Sequence, residues 1–406
     1  MTILVYIQLL LYSLIMKFNK FNIFHVFIYF YGWILFNFIF LYKKCSSKEV
    51  KTRVILYGHK LYGNLKSLYK ELDETDIEFY FLTLDYKVYK KLKKSSVNVL
   101  YGLRVKDMEK VVFSKIIVTD HGLHFMRKLI NEQDNLFFDT NHGLPLQKWN
   151  ENVMQQFYRY NEVWLFSEFH KKVYLEDFGY KKDNLVITGY GRLDYLHKFN
   201  TSCDKLNYIF SLKKKYGLED SKKIILYAPT WIHSKQKVHN EFLRPDNIKF
   251  IQQLNQFGIL NNITFIFRPH LNTKLNNKFI KILQSLENVL YFPFSQYEEV
   301  ENFLIMSDML ITDWSSIALD FLLLDRPTLF LDVPSSFKLG IFKEEILRFG
   351  KISDIDSLEY DINKYINNLD DYFKDCPQHV LTKEIIYDTP LKFASNQYIK
   401  RLNKYI

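Results

Sequence analysis

The sequence predicts two Rossmann-like α/β domains facing each other across a cleft, with a hydrophobic membrane segment ahead of them. Three observations predict this. From Arg53 onwards, short β-branched runs alternate with stretches of helical periodicity, the pattern of a parallel sheet with crossover helices. The polar, lysine-rich stretch Tyr195–Asp220 interrupts that series, which then starts again. The first 42 residues are almost wholly apolar, unlike anything that follows.

The N-terminal stretch comes first. Met1–Met16 is apolar, and after Lys17 and Lys20 the run Phe21–Tyr42 contains no Asp, Glu, Lys or Arg. About 20 such residues suffice to cross a bilayer. A hairpin with Met1–Met16 and an interfacial helix lying in the headgroups are the alternatives. The following cations Lys43, Lys44, Lys48, Lys51 and Arg53 argue against a cleaved signal and for a cytoplasmic location of the remainder. The expectation is therefore a cell-membrane protein with its remaining domains on the cytoplasmic side.

The first series of strands is then Arg53–Gly58, Ile77–Leu84, Val97–Gly102, Lys115–Gly122, Leu136–Gly143, Glu162–Phe169 and Leu185–Arg192. Leu61, Leu65, Leu68 and Leu72 have helical spacing after the first of these, with Gly63 and Asn64 near the start of that helix. A second series holds strands Lys223–Trp231, Ile263–His270, Val289–Phe292, Met309–Thr312 and Thr328–Asp332. Helices are expected at Ile248–Phe257, Lys274–Leu286, Glu298–Met306, Ile317–Leu324, Ile355–Phe373 and Ala394–Tyr405. Pro327 ends the fourth of these, since its ring disfavours a helical residue before it. The expected divisions are residues 1–44, 45–200, 201–375 and a helical tail 376–406.

Composition narrows the function. The chain has 406 residues, 48% hydrophobic and 25% charged, as a folded protein with a sizeable core does. A net charge of +10 favours anionic partners: phosphorylated substrates, a nucleotide or an anionic membrane. No basic helix with interleaved aromatics is present, so nucleic acid is not expected as a partner. Cys45, Cys203 and Cys376 lie far apart and form no disulfide framework or metal-binding pair.

Polar residues gather where strands end, which is where parallel sheets bind ligands. Asn141-His142-Gly143, Ala228-Pro229-Thr230-Trp231, Arg268-Pro269-His270 and Asp313-Trp314-Ser315-Ser316 each follow a predicted strand. Asp120-His121-Gly122 repeats the His-Gly pattern, and sequence alone does not rank it below His142. Asp313 and Ser315 are good helix caps, and a helix start with added hydroxyls can hold a phosphate. No Asp-x-Asp metal site stands out, Asp354-Ile355-Asp356 lying in a polar tail region.

Taken in order, these motifs resemble the CDP-glycerol glycerophosphotransferase family, the membrane-associated enzymes of teichoic-acid-type polymers. The resemblance runs from about Arg53 to the C-terminus and rests on Gly58–Asn64, His142–Leu146, Ser167–Tyr180, Ile187–Leu196, Ile225–Trp231, Phe267–His270 and Thr312–Pro327. It implies a GT-B fold, with acceptor bound mainly by the first domain and a CDP-polyol by the second. It implies His142 as the base that deprotonates an acceptor hydroxyl, and His270 and Arg268 as stabilisers of donor phosphate charge. Ser315 and Ser316 would bind the pyrophosphate, Asp313 would shape the turn, and Thr230 would line the nucleotide site. Gly189 and Arg192 are further donor-side residues by the same resemblance, and Gly63, Asn64 and Gly143 acceptor-side ones. The implied partners are CDP-glycerol or a similar CDP-polyol, a lipid-linked polymer acceptor and the membrane. No cofactor is implied, though room is left for a loosely bound Mg²⁺. The sequence departs from the family where Asn141 precedes the histidine instead of an aromatic residue, where Leu271 follows His270 instead of proline, and where the Arg-Gly segment after Asp332 is missing. Two other readings use the same fold: a glycosyltransferase taking a nucleotide sugar, and a tethered scaffold without turnover.

Overall fold

The computed structural model describes residues 23–58, 60–120, 122–146, 159–230, 247–270, 273, 275–335, 341–389 and 393–406. The chain divides into two compact units. The first comprises residues 1–142, 149–192 and 391–406; the second comprises 143–148 and 193–390.

The first unit is built on a sheet of strands β1 (Lys51–Tyr57), β2 (Phe79–Thr83), β3 (Val99–Tyr101), β4 (Ser114–Thr119), β5 (Leu136–Asp139), β6 (Glu162–Leu165) and β7 (Leu185–Ile187). Their order in the sheet is β3-β2-β1-β4-β5-β6-β7, and every pairing is parallel. Val54, Leu56, Phe81, Ile116 and Val118 are fully buried, as β-branched and aromatic residues covered on both faces of a parallel sheet should be. The leucine stripe folds as the helix Gly63–Asp73, in which Leu65, Leu68 and Leu72 have no exposed surface. Each such burial contributes about 1.5–3 kcal/mol. At Gly58 a Cβ would stand 2.7 Å from Leu65 Cδ1 and 2.9 Å from Asp120 Oδ1, so a larger residue after β1 would displace these side chains.

The C-terminal helix Ala394–Leu402 belongs to this unit. Tyr398 stacks on Trp164 at 4.7 Å, and its hydroxyl accepts from Gly191 N at 2.9 Å. Buried Glu162 accepts from Trp164 Nε1 (2.8 Å), Arg401 Nε (3.0 Å) and the Tyr405 hydroxyl (2.7 Å).

The second unit repeats the plan. Strands β8 (Lys223–Tyr227), β9 (Ile263–Phe267), β10 (Val289–Tyr291), β11 (Met309–Thr312), β12 (Thr328–Leu331) and β13 (Lys351–Ser353) form a parallel sheet in the order β10-β9-β8-β11-β12-β13. Its core packs Ile225, Tyr227, Phe265, Phe267 and Ile311 against the helices Ile248–Asn261 and Leu358–Tyr365. In both sheets the strand order reverses once, between β1 and β4 and between β8 and β11. Ligands of open α/β sheets bind outside the carboxyl ends of the strands at such a reversal.

The expected membrane segment is corrected. Among the described residues no helix is long and apolar enough to cross a membrane. The helix Ile23–Cys45 lies on the first unit, packed against the helix Val105–Val112 and the 3-10 stretch His124–Asn131. Ile28, Leu35, Phe36 and Ile39 are buried there. Polar bonds fix it further: Lys43 Nζ donates to buried Asn135 Oδ1 at 2.7 Å, and Lys44 pairs with Glu132 at 2.7 Å. One stripe of this helix is thus packed on its own domain and is not available to lipid. Met1–Met16, the hairpin partner in one alternative reading, lies outside the described residues.

Candidate functional site

In the first unit the chain leaves β5 through Thr140 and Asn141. Asn141 adopts a left-handed conformation, φ 56°, which asparagine tolerates better than other side-chain-bearing residues. Its N–H donates to Asp139 Oδ1 at 2.8 Å, and its Oδ1 accepts from the His142 N–H at 2.9 Å. The His142 imidazole is exposed, with Nδ1 2.9 Å from the Asp120 carbonyl oxygen. A carbonyl only accepts, so Nδ1 carries the proton and Nε2 is the basic nitrogen.

Two more of the expected residues converge here. Asn64, in the first turn of the helix Gly63–Asp73, donates through Nδ2 to the carbonyls of Thr140 (3.1 Å) and Asn141 (2.9 Å). Its Oδ1 accepts from the Arg192 N–H at 3.2 Å, and Arg192 Nη1 donates to the His142 carbonyl at 2.9 Å. Asn64 and Arg192 thus hold the backbone on either side of the imidazole. Arg192 and Gly189, expected on the donor side, lie in the first unit because β7 belongs to the first sheet. Gly189 takes φ 84° and donates its N–H to Leu165 O at 3.0 Å. Gly63 takes φ 55°, and Gly143 is where the chain passes into the second unit. The Tyr62 hydroxyl is pushed up to about 12, mainly by burial and further by the Asp120 charge, with Arg192 opposing. The rival imidazole, His121, lies outside the described residues.

In the second unit the loops after β8 and β11 are tied together. Ala228 N donates to Ile311 O at 2.9 Å, and Thr312 Oγ1 to Ala228 O at 2.6 Å. The Asp313 carboxylate accepts from the Thr230 N–H (2.9 Å), the Thr230 hydroxyl (2.7 Å) and the Trp314 N–H (2.6 Å). Burial raises the Asp313 pKa, and these bonds only partly offset it. Asp313 and Thr230 therefore act as a clamp between loops, and the Thr230 hydroxyl is spent on it. Trp314 donates Nε1 to Val333 O at 2.8 Å and carries the buried Arg348 guanidinium on its ring at 4.8 Å.

The clamp presents Ser315, half-buried, and Ser316, exposed. Neither hydroxyl forms a hydrogen bond among the described residues, so both can donate to an anion. The helix behind them is short: Ile317–Phe321 is α-helical and Leu322–Leu324 is 3-10, with no side-chain cap. Hydroxyls and loop N–H groups, more than a long helix dipole, are what this turn has for a phosphate. His270 is exposed and sits just past β9. Arg268 is buried between Phe294 (5.6 Å) and Phe303 (4.9 Å), donating Nη1 to Phe292 O at 3.2 Å. Burial brings its pKa down to about 10, so it stays charged at neutral pH. Among the described residues its Nη2 has no hydrogen-bond partner, leaving an unmet donor on a buried cation two residues before His270.

Sequence reasoning gave no role to Asn141, Asp120, Tyr174 or Arg348. Asn141 entered only as the departure beside His142, Asp120 only as part of Asp120-His121-Gly122, and Tyr174 only inside the Ser167–Tyr180 motif. Their contacts join residues far apart in sequence, which no local pattern records.

Two reversing parallel sheets, each with polar loops at the carboxyl ends beside the reversal, define an α/β protein of two Rossmann-like units. The family described as CDP-Glycerol:Poly(glycerophosphate) glycerophosphotransferase matches residues 37–333, and the chain belongs to that family. It is 28% identical over 218 residues to a teichoic acid poly(glycerol phosphate) polymerase of Bacillus spizizenii, covering 53% of this chain and 50% of the relative. It is 24% identical over 293 residues to a teichoic acid glycerol-phosphate transferase of Staphylococcus aureus, covering 66% and 64%. The chain thus matches about half to two-thirds of the length of these relatives. Its fold resembles the wall teichoic acid polymerase TagF, with a TM-score of 0.71 over 92% of this chain and 93% of that one at 18% identity.

Proposed function

We propose that the protein transfers a polyol phosphate, glycerol phosphate or a close analogue, from a CDP-activated donor to a hydroxyl of a lipid-linked or polymeric acceptor. The product is a wall- or capsule-type polymer and the by-product is CMP. The acceptor oxygen forms a bond to the polyol-bearing phosphorus while the bond from that phosphorus to the bridging oxygen of CMP breaks. His142 Nε2 takes the acceptor proton, the role its Nδ1-protonated tautomer suits. CMP departs with the bridging electrons, and its charge is met by Ser315, Ser316 and the imidazole of His270. Arg268 and the Asp313–Thr230 clamp set the loops that carry those groups. The observation that carries this reading is the tautomer-fixed His142 at one strand end, in a chain whose family handles CDP-glycerol.

We further propose that the protein works at the cytoplasmic face of the cell membrane, with the helix Ile23–Cys45 resting on the lipid surface. The outer stripe of the helix Ile23–Cys45 exposes Phe27, Phe30, Ile34, Phe38 and Leu41, flanked by Tyr31, Trp33 and Tyr42. Exposed Lys44, Lys48 and Lys128 border it, which suits an anionic lipid surface.

The test is CMP release by the purified chain from CDP-glycerol and CDP-ribitol with a lipid-linked acceptor. His142→Ala and His270→Ala should each remove most of it. Turnover of a UDP-sugar in place of either CDP-polyol would overturn the assignment.

A further inference from the structure

We propose that Asn141 is a positioning residue for His142, working through a latch to the Tyr174 hydroxyl; this rests on the reading of His142 as the base. Asn141 is only 3% exposed, so it is no contact for substrate. All its polar groups are committed. Its N–H goes to Asp139, its carbonyl accepts from Asn64, its Oδ1 holds the His142 N–H, and its Nδ2 donates to the Tyr174 hydroxyl. The left-handed backbone at φ 56° turns the chain at this residue, immediately before the imidazole.

Tyr174 is a rigid anchor for that latch. It lies on the helix Glu168–Glu176, is 1% exposed, and packs against His170 at 4.8 Å, Tyr180 at 4.9 Å and Phe178 at 5.5 Å. A ring held on several sides fixes where its hydroxyl can be. The latch therefore ties the end of β5 to a helix that follows β6, and the His142 N–H hangs from the same amide. Losing it frees the His142 backbone to rotate, which loosens the Nδ1 contact with Asp120 and misplaces Nε2. A displacement of about 1 Å at a reacting group can cost about a hundredfold in rate.

Three variants separate the parts. Tyr174→Phe removes only the hydroxyl. Asn141→Gly keeps the left-handed backbone and removes the amide. The double variant removes both ends of one bond. With the full chain and CDP-glycerol, Tyr174→Phe should lower kcat about fivefold and Asn141→Gly about thirtyfold, with KM for the donor unchanged. The double variant should be no worse than Asn141→Gly, because the shared bond is already gone. A second readout needs no turnover: ¹⁵N shifts of histidine-labelled protein, with His142 assigned by its loss in His142→Ala. These should show the Nδ1-protonated tautomer in the wild type and a mixture in Asn141→Gly. Unchanged kcat in both single variants, multiplicative losses in the double, or an unaltered tautomer in Asn141→Gly would each overturn the inference. If His142→Ala keeps its activity, the base assignment fails, and the tautomer measurement still decides whether Asn141 positions the ring.

Discussion

Replacing Asp313 should separate the clamp from the pocket it supports. Asp313 is 6% exposed, and its carboxylate accepts from two backbone N–H groups and one hydroxyl, on Thr230 and Trp314. Asp313→Ala leaves all three donors without this acceptor. Bonds to a charged group are each worth about 1.5–3 kcal/mol, but the desolvation of the carboxylate is recovered when it is removed. A net loss of about 2–4 kcal/mol follows, because each stranded neutral donor costs about 1–3 kcal/mol while the carboxylate's desolvation is recovered. Asp313→Asn keeps one acceptor oxygen and carries no charge, so it should lose about 1–2 kcal/mol. Thr230→Val removes only the hydroxyl and should fall in the same range. The pH dependence has a definite sign. Burial raises the Asp313 pKa above its unfolded value, so in the window between the two the folded protein binds more protons. That contribution favours folding at acid pH and is lost as pH rises through the folded value; Asp313→Asn removes it. Urea denaturation at several pH values measures all of this. A midpoint for Asp313→Ala equal to that of the wild type, or an Asn variant as damaging as the Ala variant, would refute the clamp.

Other expectations follow from single contacts. Glu162→Ala strands Arg401, Trp164 Nε1 and the Tyr405 hydroxyl, and should destabilise the first unit by about 3–5 kcal/mol in chemical denaturation. Gly58→Ala forces a Cβ to within 2.7 Å of Leu65 Cδ1 and should cost about 1–3 kcal/mol, read as a lowered Tm. His170, fully buried, is held down to about 3, and His379 to about 4, both mainly by burial. The unfolded chain therefore binds protons that the folded one refuses below about pH 6.5, and stability should fall from there towards pH 4. Thermal melts across that range should show a shallower fall in His379→Phe, and an identical slope would contradict the assignment.

Much of the architecture was legible because strand and helix periods differ. Met309–Thr312 is the strand expected, and the helix after it ends before Pro327 as its ring requires. β13 escaped because Lys351–Ser353 is three residues long with Ile352 exposed, so it offers no apolar run. The helix expected over Ile355–Phe373 is two, Leu358–Tyr365 and Leu369–Asp375, broken without a Pro or Gly to announce it. The N-terminal expectation failed for a related reason. Apolar count does not say what an apolar stripe packs against, and Ile28, Leu35, Phe36 and Ile39 face the domain instead of lipid. At the strand ends, residue types picked out these loops as candidates but did not show the bonds within them. Asp313 and Thr230 stand 83 residues apart, and only the adjacency of β8 and β11 brings them together. Arg268 is expected from the resemblance to meet donor phosphate charge, and the sequence does not show that its guanidinium lies between two phenylalanine rings.

The most direct measurement is the mass of a lipid-linked acceptor incubated with the purified chain and CDP-glycerol, followed alongside CMP. The account predicts growth by whole glycerol phosphate units, one CMP for each, and no growth with His142→Ala. CMP released while the acceptor mass stays constant, or growth that persists without the His142 imidazole, would contradict it.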